Sequence, residues 1–297
     1  MTVRTHQIPL TGTPRALEVR NPAGSVTVEA RPDATEVVVT VEALDGAAEQ
    51  VLDRVDLFVT ASKVQVTVPE RRLARTPSFA IEVVLPPDAP VTVAVASADA
   101  TLRGRLGRVV LTGASGDLVA DHTAEVQVRS ASGDVRIGRA DGPATVATAS
   151  GDVRLDSAGG PVEVRTASGD VVLGSAAVDV TARTASGDVR IERASSGTVR
   201  VTTVSGDTTV AVERGLRVWL DVQSVSGRLV SELDDEEPGR GDGGAPLSLL
   251  LKSVSGDLRL RRAVPLPPTP AAPPAAPSAP MPASAPDAPT PPAAPTY

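Results

Sequence analysis

The sequence predicts an all-β protein: a single parallel β-solenoid, β-helix-like, with coils of about 18 residues. Three observations carry this. First, the tripeptide Ser-Gly-Asp begins at Ser115, Ser132, Ser150, Ser168, Ser186, Ser205 and Ser255, with Ser-Gly-Arg at Ser226. The steps between them are 17, 18, 18, 18, 19, 21 and 29 residues, and a fixed period of this size marks stacked repeats. Second, apolar and polar residues alternate on both sides of each tripeptide, the period of a strand with one face inward. Third, the hydrophobic share is 41% but aromatics are 1%. Such a core is aliphatic and β-forming, which suits narrow, closely stacked layers.

Along the chain, Leu17–Val28 already has the rhythm of a coil, with Ser25 where an Asp would stand. Strands are expected at Glu36–Val41, Val55–Thr60, Val64–Val68, Ala80–Leu85 and Val91–Val95. Between the first two, Asp45-Gly46 opens a short helix. Ala48, Val51, Leu52 and Val55 fall at helical spacing, and Asp45 is placed as N-cap. Residues 1–95 thus read as an irregular N-terminal β part that caps the first coil and removes an open edge. Ser97-Ala98-Asp99, 18 residues before Ser115, reads as a worn coil.

The regular solenoid spans 96–262. Before the tripeptide lie Val162, Val164, Thr166 and their counterparts Val180, Ala182, Thr184; after it lie Val153, Leu155 and Val171, Leu173. Corners rich in Gly and Ala, such as Asp156-Ser157-Ala158-Gly159-Gly160, join the strand pairs. One unit cannot bury its own apolar face, so units must coil on one another, in parallel at about 4.8 Å. Eight coils then make a rod of roughly 40 Å. An exposed acidic loop is expected at 233–246, around Asp234-Asp235-Glu236-Glu237. Strands resume at Leu247–Leu251 and Leu258–Leu260. Residues 263–297 are Pro and Ala with one charge, Asp287, the composition of a disordered, partly polyproline-II tail.

The unit V-x-V-x-T-x-S-G-D-V-x-[IL], preceded by Phe79-Ala80-Ile81-Glu82-Val83-Val84-Leu85-Pro86, resembles the bacterial putative-adhesin family over roughly Leu17 to Leu260. The resemblance implies a β-solenoid and a name pointing to adhesion. It implies no catalytic residues. Arg228 in place of Asp, and the acidic insertion, depart from the regular pattern.

Composition narrows the function classes. The chain has no Cys, so neither a disulfide framework nor a cysteine metal site can form. Its formal charge of −7 disfavours nonspecific nucleic-acid binding. No signal segment or membrane-length apolar run is seen. The expected compartment is the cytoplasm, with the cell surface as the alternative.

Several columns invite functional readings. Asp117, Asp134, Asp152, Asp170, Asp188, Asp207 and Asp257 could form a calcium-binding or acid–base row. Against this, the G-G-x-G-x-D pattern of calcium rolls is absent. The preferred reading is a structural corner column in which each carboxylate accepts backbone N–H groups of its own turn. Ser130, Thr148, Thr166, Thr184, Thr203, Ser224 and Ser253 share the inward phase and are expected to bond to one another or to backbone. Arg129, Arg165 and Arg183 share one outward phase, Arg136, Arg154 and Arg190 another. They are read as solvated faces paired to carboxylates across coils. Asp121-His122 lacks the strained elbow of a hydrolase nucleophile, and Arg240-Gly241-Asp242 is too short a match to weigh.

The function expected is a non-enzymatic scaffold or adhesin-like module with an unknown protein or surface partner, no cofactor and no metal. Two alternatives stand beside it. One is self-association into filaments, favoured by exposed strand edges. The other is a β-helix carbohydrate-active enzyme, which needs clustered carboxylates outside the corner column.

Overall fold

The computed structural model describes residues 2–9, 16–69, 76–233 and 247–264. The acidic run, Arg240-Gly241-Asp242 and the Pro/Ala segment from 265 onward lie outside the described residues.

In the regular part each coil contributes two strands. After β8 (Leu118–Ser130) come β9 (Val135–Ala140), β10 (Ala144–Ser150), β11 (Val153–Ala158), β12 (Val162–Ser168), β13 (Val171–Ala176), β14 (Val180–Ser186), β15 (Val189–Ala194), β16 (Gly197–Ser205) and β17 (Thr208–Val212). β11 pairs in parallel with β9 and β13, and β12 with β10 and β14. Odd-numbered strands thus form one layer and even-numbered strands the other. Val153, Leu155 and Ala158 of β11 face Val162 and Val164 of β12 within one continuous buried core. Arg154, Asp156 and Arg165 point out. Identical phases stack because each parallel ladder repeats its register, Val153↔Val171 and Leu155↔Leu173.

The N-terminal part continues this sheet and then reverses direction. β2 (Ala16–Ala30) is itself a coil, parallel to β7 (Val91–Gly113) from Leu17↔Val91 to Glu29↔Arg103, with Ser25 opposite Asp99. The expected strand Val91–Val95 therefore runs on to Gly113. On the other edge of β2 lie β5 (Lys63–Thr67) and β6 (Phe79–Leu85), both parallel. β3 (Glu36–Ala43) pairs antiparallel with β6, β1 (Val3–Pro9) with β3, and β4 (Asp56–Val59) with β5. A single turn of helix, α1 (Gly46–Glu49), is capped by Asp45, whose Oδ1 accepts the Ala48 N–H at 2.6 Å. α1 and the 3₁₀ turn Leu52–Arg54 bury Ala48, Val51 and Leu52.

At the other end, chain order and stacking order part company. β18 (Val218–Ser226) and β19 (Leu229–Ser231) do not stack on β16 and β17. The last strands, β20 (Leu247–Ser255) and β21 (Leu258–Arg262), occupy that place. β18 and β19 pair with the outer edges of β20 and β21. The coil of Ser226 is thus outermost, and the later coil of Ser255 is inserted beneath it. Burial fits this order: Leu247, Leu249 and Leu251 are fully buried, whereas β18 is largely exposed.

The glycine of each tripeptide is required twice. Gly169 has φ +125°, and a Cβ there would lie 2.2 Å from the Gly151 carbonyl oxygen of the neighbouring coil. Gly133, Gly151, Gly187, Gly206 and Gly256 repeat the arrangement. The corners therefore stack backbone on backbone. Gly169→Ala should cost about 3 kcal/mol in urea unfolding. Gly46→Ala, with nothing within 4 Å of the new Cβ, should stay within about 0.5 kcal/mol.

Candidate binding surface

The Asp column forms a continuous ladder. Asp99 Oδ1 accepts the N–H of Asp117 at 2.9 Å, Asp117 that of Asp134 at 3.1 Å, Asp134 that of Asp152 at 3.1 Å, and Asp152 that of Asp170 at 2.9 Å. Asp170, Asp188 and Asp207 continue to Asp188, Asp207 and Asp257, each at 2.8 Å. Asp257 ends the series on the Arg228 N–H at 3.0 Å. The acceptor therefore serves the next coil, not its own turn. The corner breaks the main-chain ladder, and a carboxylate supplies the missing acceptor. Arg228 stands on the outermost rung, where an N–H is needed and no acceptor is. The Ser-Gly-Arg variant thus marks the end of the stack. Asp99, the worn coil, is the first rung.

The inward hydroxyls do not form a ladder with one another. Thr148, Thr166 and Thr184 donate to the carbonyls of Ser150, Ser168 and Ser186 at 3.0–3.1 Å, and Ser130 to that of Ser132 at 2.8 Å. The buried hydroxyls of Thr203 and Ser253 have no hydrogen-bond partner. His122 faces Asp141 of the next coil at 2.8 Å, not its neighbour Asp121. Arg139 Nε reaches the other oxygen of Asp141 at 2.7 Å. The Arg139 guanidinium, and secondarily His122, hold the Asp141 carboxyl below the usual carboxylate range.

The two arginine phases differ. In the odd-strand layer Arg136 bridges Asp117 and Asp134, Arg154 pairs with Asp156, and Arg259 lies between Asp207 and Asp257. Of that phase Arg190 alone is free among the described residues. In the even-strand layer, register places Arg129, Ala147, Arg165, Arg183, Thr202 and Lys252 in one row across successive coils. Arg165 pairs with Glu163. Among the described residues Arg129, Arg183 and Lys252 have neither a hydrogen bond nor an ion pair, so the cross-coil pairing expected of this phase is missing there. Ala147 leaves a notch of about 90 Å³ between Arg129 and Arg165, walled by Thr145 and Gln127.

A larger groove, about 590 Å³, lies beside Asn21 and Pro22, where no described strand pairs with β2 between the β5 and β6 registers. Asn21, buried at its floor, donates to the carbonyls of Ser25 and Phe79 at 3.2 and 3.0 Å. Its Oδ1 is left without a partner. The charged wall is already paired, Glu18 with Arg20 and Lys63. Asn21 carries no repeat signal and escaped the sequence reading.

Residues 24–261 match the sequence profile of the family described as Toastrack DUF4097. The chain belongs to the Toastrack DUF4097 family. No curated protein matches this Toastrack chain. Among solved structures it is similar to a "putative adhesin" from Bacteroides fragilis NCTC 9343, at 12% identity and TM-score 0.46, covering 87% of this chain and 97% of that one. It is also similar to a "putative adhesin" from Parabacteroides distasonis ATCC 8503, at 11% identity and TM-score 0.35, with 87% and 97% covered. A "putative lipid binding protein" from the same organism matches at 10% identity and TM-score 0.31, with 86% and 96% covered. No helix among the described residues of the Toastrack chain is long and apolar enough to cross a membrane.

Two expectations follow for the Toastrack corners. Asp152→Ala removes an inter-coil acceptor and should lower Tm by a few degrees, while Arg228→Ala leaves Tm unchanged. Thermal scans by circular dichroism compare them. Asp141, its folded pKa depressed, should stabilise the protein above the ordinary aspartate pKa. That contribution is lost as pH falls through the lowered folded value. Arg139→Gln should move the Asp141 titration, followed by NMR, back toward the ordinary range.

Proposed function

We propose that the protein is a non-enzymatic β-solenoid binding module that meets an acidic partner surface through the even-strand row of Arg129, Arg165, Arg183 and Lys252. The observation carrying this reading is the row itself. On a chain of formal charge −7, its cations are held in register by parallel pairing, and Arg129, Arg183 and Lys252 have no ion pair among the described residues. Arg165 and Arg183 sit on adjacent strands, about 4.8 Å apart along the stack. Glu163 offsets the Arg165 charge, which leaves Arg183 and Lys252, two strands apart across Thr202, as cations that anionic groups of a partner can pair with. The sheet fixes the spacing in advance, so little ordering entropy is lost on binding.

The Asp column is assigned a structural role. Each Oδ1 from Asp99 to Asp257 is engaged by a main-chain N–H, which supports a corner-closing function over ion binding or acid–base chemistry. His122 has Asp141 as its hydrogen-bond partner, not a serine nucleophile. Adhesion to an external surface and scaffolding inside the cell both use such a face, and fractionation of tagged cells separates them.

Binding is tested with a sulfated polyanion resin at low ionic strength. The full chain should be retained and should elute as salt rises. Arg129→Glu/Arg165→Glu/Arg183→Glu should pass through unretained with an unchanged melting curve. Equal retention of the triple variant, or no retention of the native chain, would remove the row as the contact surface.

A further inference from the structure

The two ends of the stack are finished differently. At the N-terminal end the antiparallel layer closes the core, and Val37, Val39 and Val41 of β3 are buried. At the other end, among the described residues, the outermost coil is open. β18 pairs with β20 on one side, and no described strand pairs with its other edge. Its inward residues Val218, Leu220 and Val222 align with the buried Leu247, Leu249 and Leu251. Yet Leu220 is 38% exposed, and Leu229 of β19, aligned with buried Leu258, is 46% exposed. An open edge beside exposed core residues is a template for further pairing.

The outward face of the same strand carries departures from the repeat. Trp219, the one tryptophan of the chain, is aligned with Ser248 and is 58% exposed. Val225 is 83% exposed, against 48% and 53% for Val254 and Val204 at the same phase of the coils beneath, where earlier coils have Ala131, Ala149, Ala167 and Ala185. Trp219 and Val225 lie three residues either side of Val222, and so do Asp221 and Gln223 at one residue. β18 is therefore self-complementary in antiparallel register. With Val222 on a two-fold axis, Trp219 falls opposite Val225 of the second copy, and the Asp221 carboxylate opposite the Gln223 amide.

We propose that the protein forms a closed two-fold dimer through its outermost coil, β18 of each copy pairing antiparallel about Val222. The pairing extends the sheet, covers Leu220 and Leu229, and sets an aromatic against a β-branched side chain, a favourable cross-strand pair. A coil end of roughly 30 by 20 Å buries about 1,200 Å² over both copies, at the lower limit of stable interfaces. The closed N-terminal end limits growth to two copies. The dimer does not depend on the basic row.

Sedimentation equilibrium of the full chain tests this, together with the emission of Trp219. The mass should double over about 1–100 μM, the range of a small interface, and the emission should shift to shorter wavelength over the same range. Val225→Lys should weaken association at least tenfold without moving the melting curve. Val222→Cys, in a chain with no other cysteine, should oxidise to a covalent dimer, whereas Val204→Cys should not. A monomer at every concentration, a dimer indifferent to Val225→Lys, or oligomers growing beyond two would each overturn the proposal. The variant with Arg129, Arg165 and Arg183 reversed should dimerise like the native chain.

Discussion

Main-chain contact between successive corners is the constraint on which the rest depends. Parallel coils stack only if the chain can turn without lifting one coil off the next. At Gly151 and Gly169 the turn is made with backbone lying on backbone, and any side chain would separate the coils. That closeness creates a second demand. A turning backbone cannot complete its parallel ladder, and an N–H is left facing the coil before it. The carboxylate that follows each glycine answers it, as Asp152 does for Asp170. Glycine and aspartate are thus two halves of one solution, and their pairing explains why the tripeptide recurs where the flanking strands vary.

The same logic explains the ends. An acceptor is useful only while another coil follows. Asp257 lies beneath a coil, and Arg228 does not. At the N-terminal end the parallel stack stops in a different way: β3 turns antiparallel on β6, and α1 folds over the aliphatic core. One end is closed by a change of strand direction, the other left with apolar side chains half covered. Charge follows the geometry too. Arg136 and Arg259, beside the Asp column, are drawn into it, whereas on the opposite layer Arg165 meets only Glu163 of its own strand, and Arg129 and Arg183 have no ion pair among the described residues.

Much of this architecture was legible in the sequence. The period-two alternation around Val164 and Leu155 reports which face is buried, and the 18-residue recurrence reports that coils stack in register. Asp45 three residues before Ala48 signalled the helix cap. Local pattern is enough in these cases because burial and capping act over a few residues. The Ser-Gly-Arg departure was also visible. Its meaning was not, since one departure from the pattern does not say that Arg228 stands on the last rung.

What only the tertiary structure decided is who neighbours whom. The insertion of β20 and β21 beneath β18 and β19 joins Asp207 to Asp257, 50 residues apart. No step length along the chain announces it. Whether Arg136 or Arg129 is neutralised depends on the coil beside each and on which layer holds the carboxylates. Asn21 is buried by strands that arrive some 58 residues later. The sequence by itself determined the coil, because a repeating local pattern has one way to bury its apolar face. The order of the coils, the direction of the corner hydrogen bonds and the free cations were decided by packing, because each is set by a contact between residues distant along the chain.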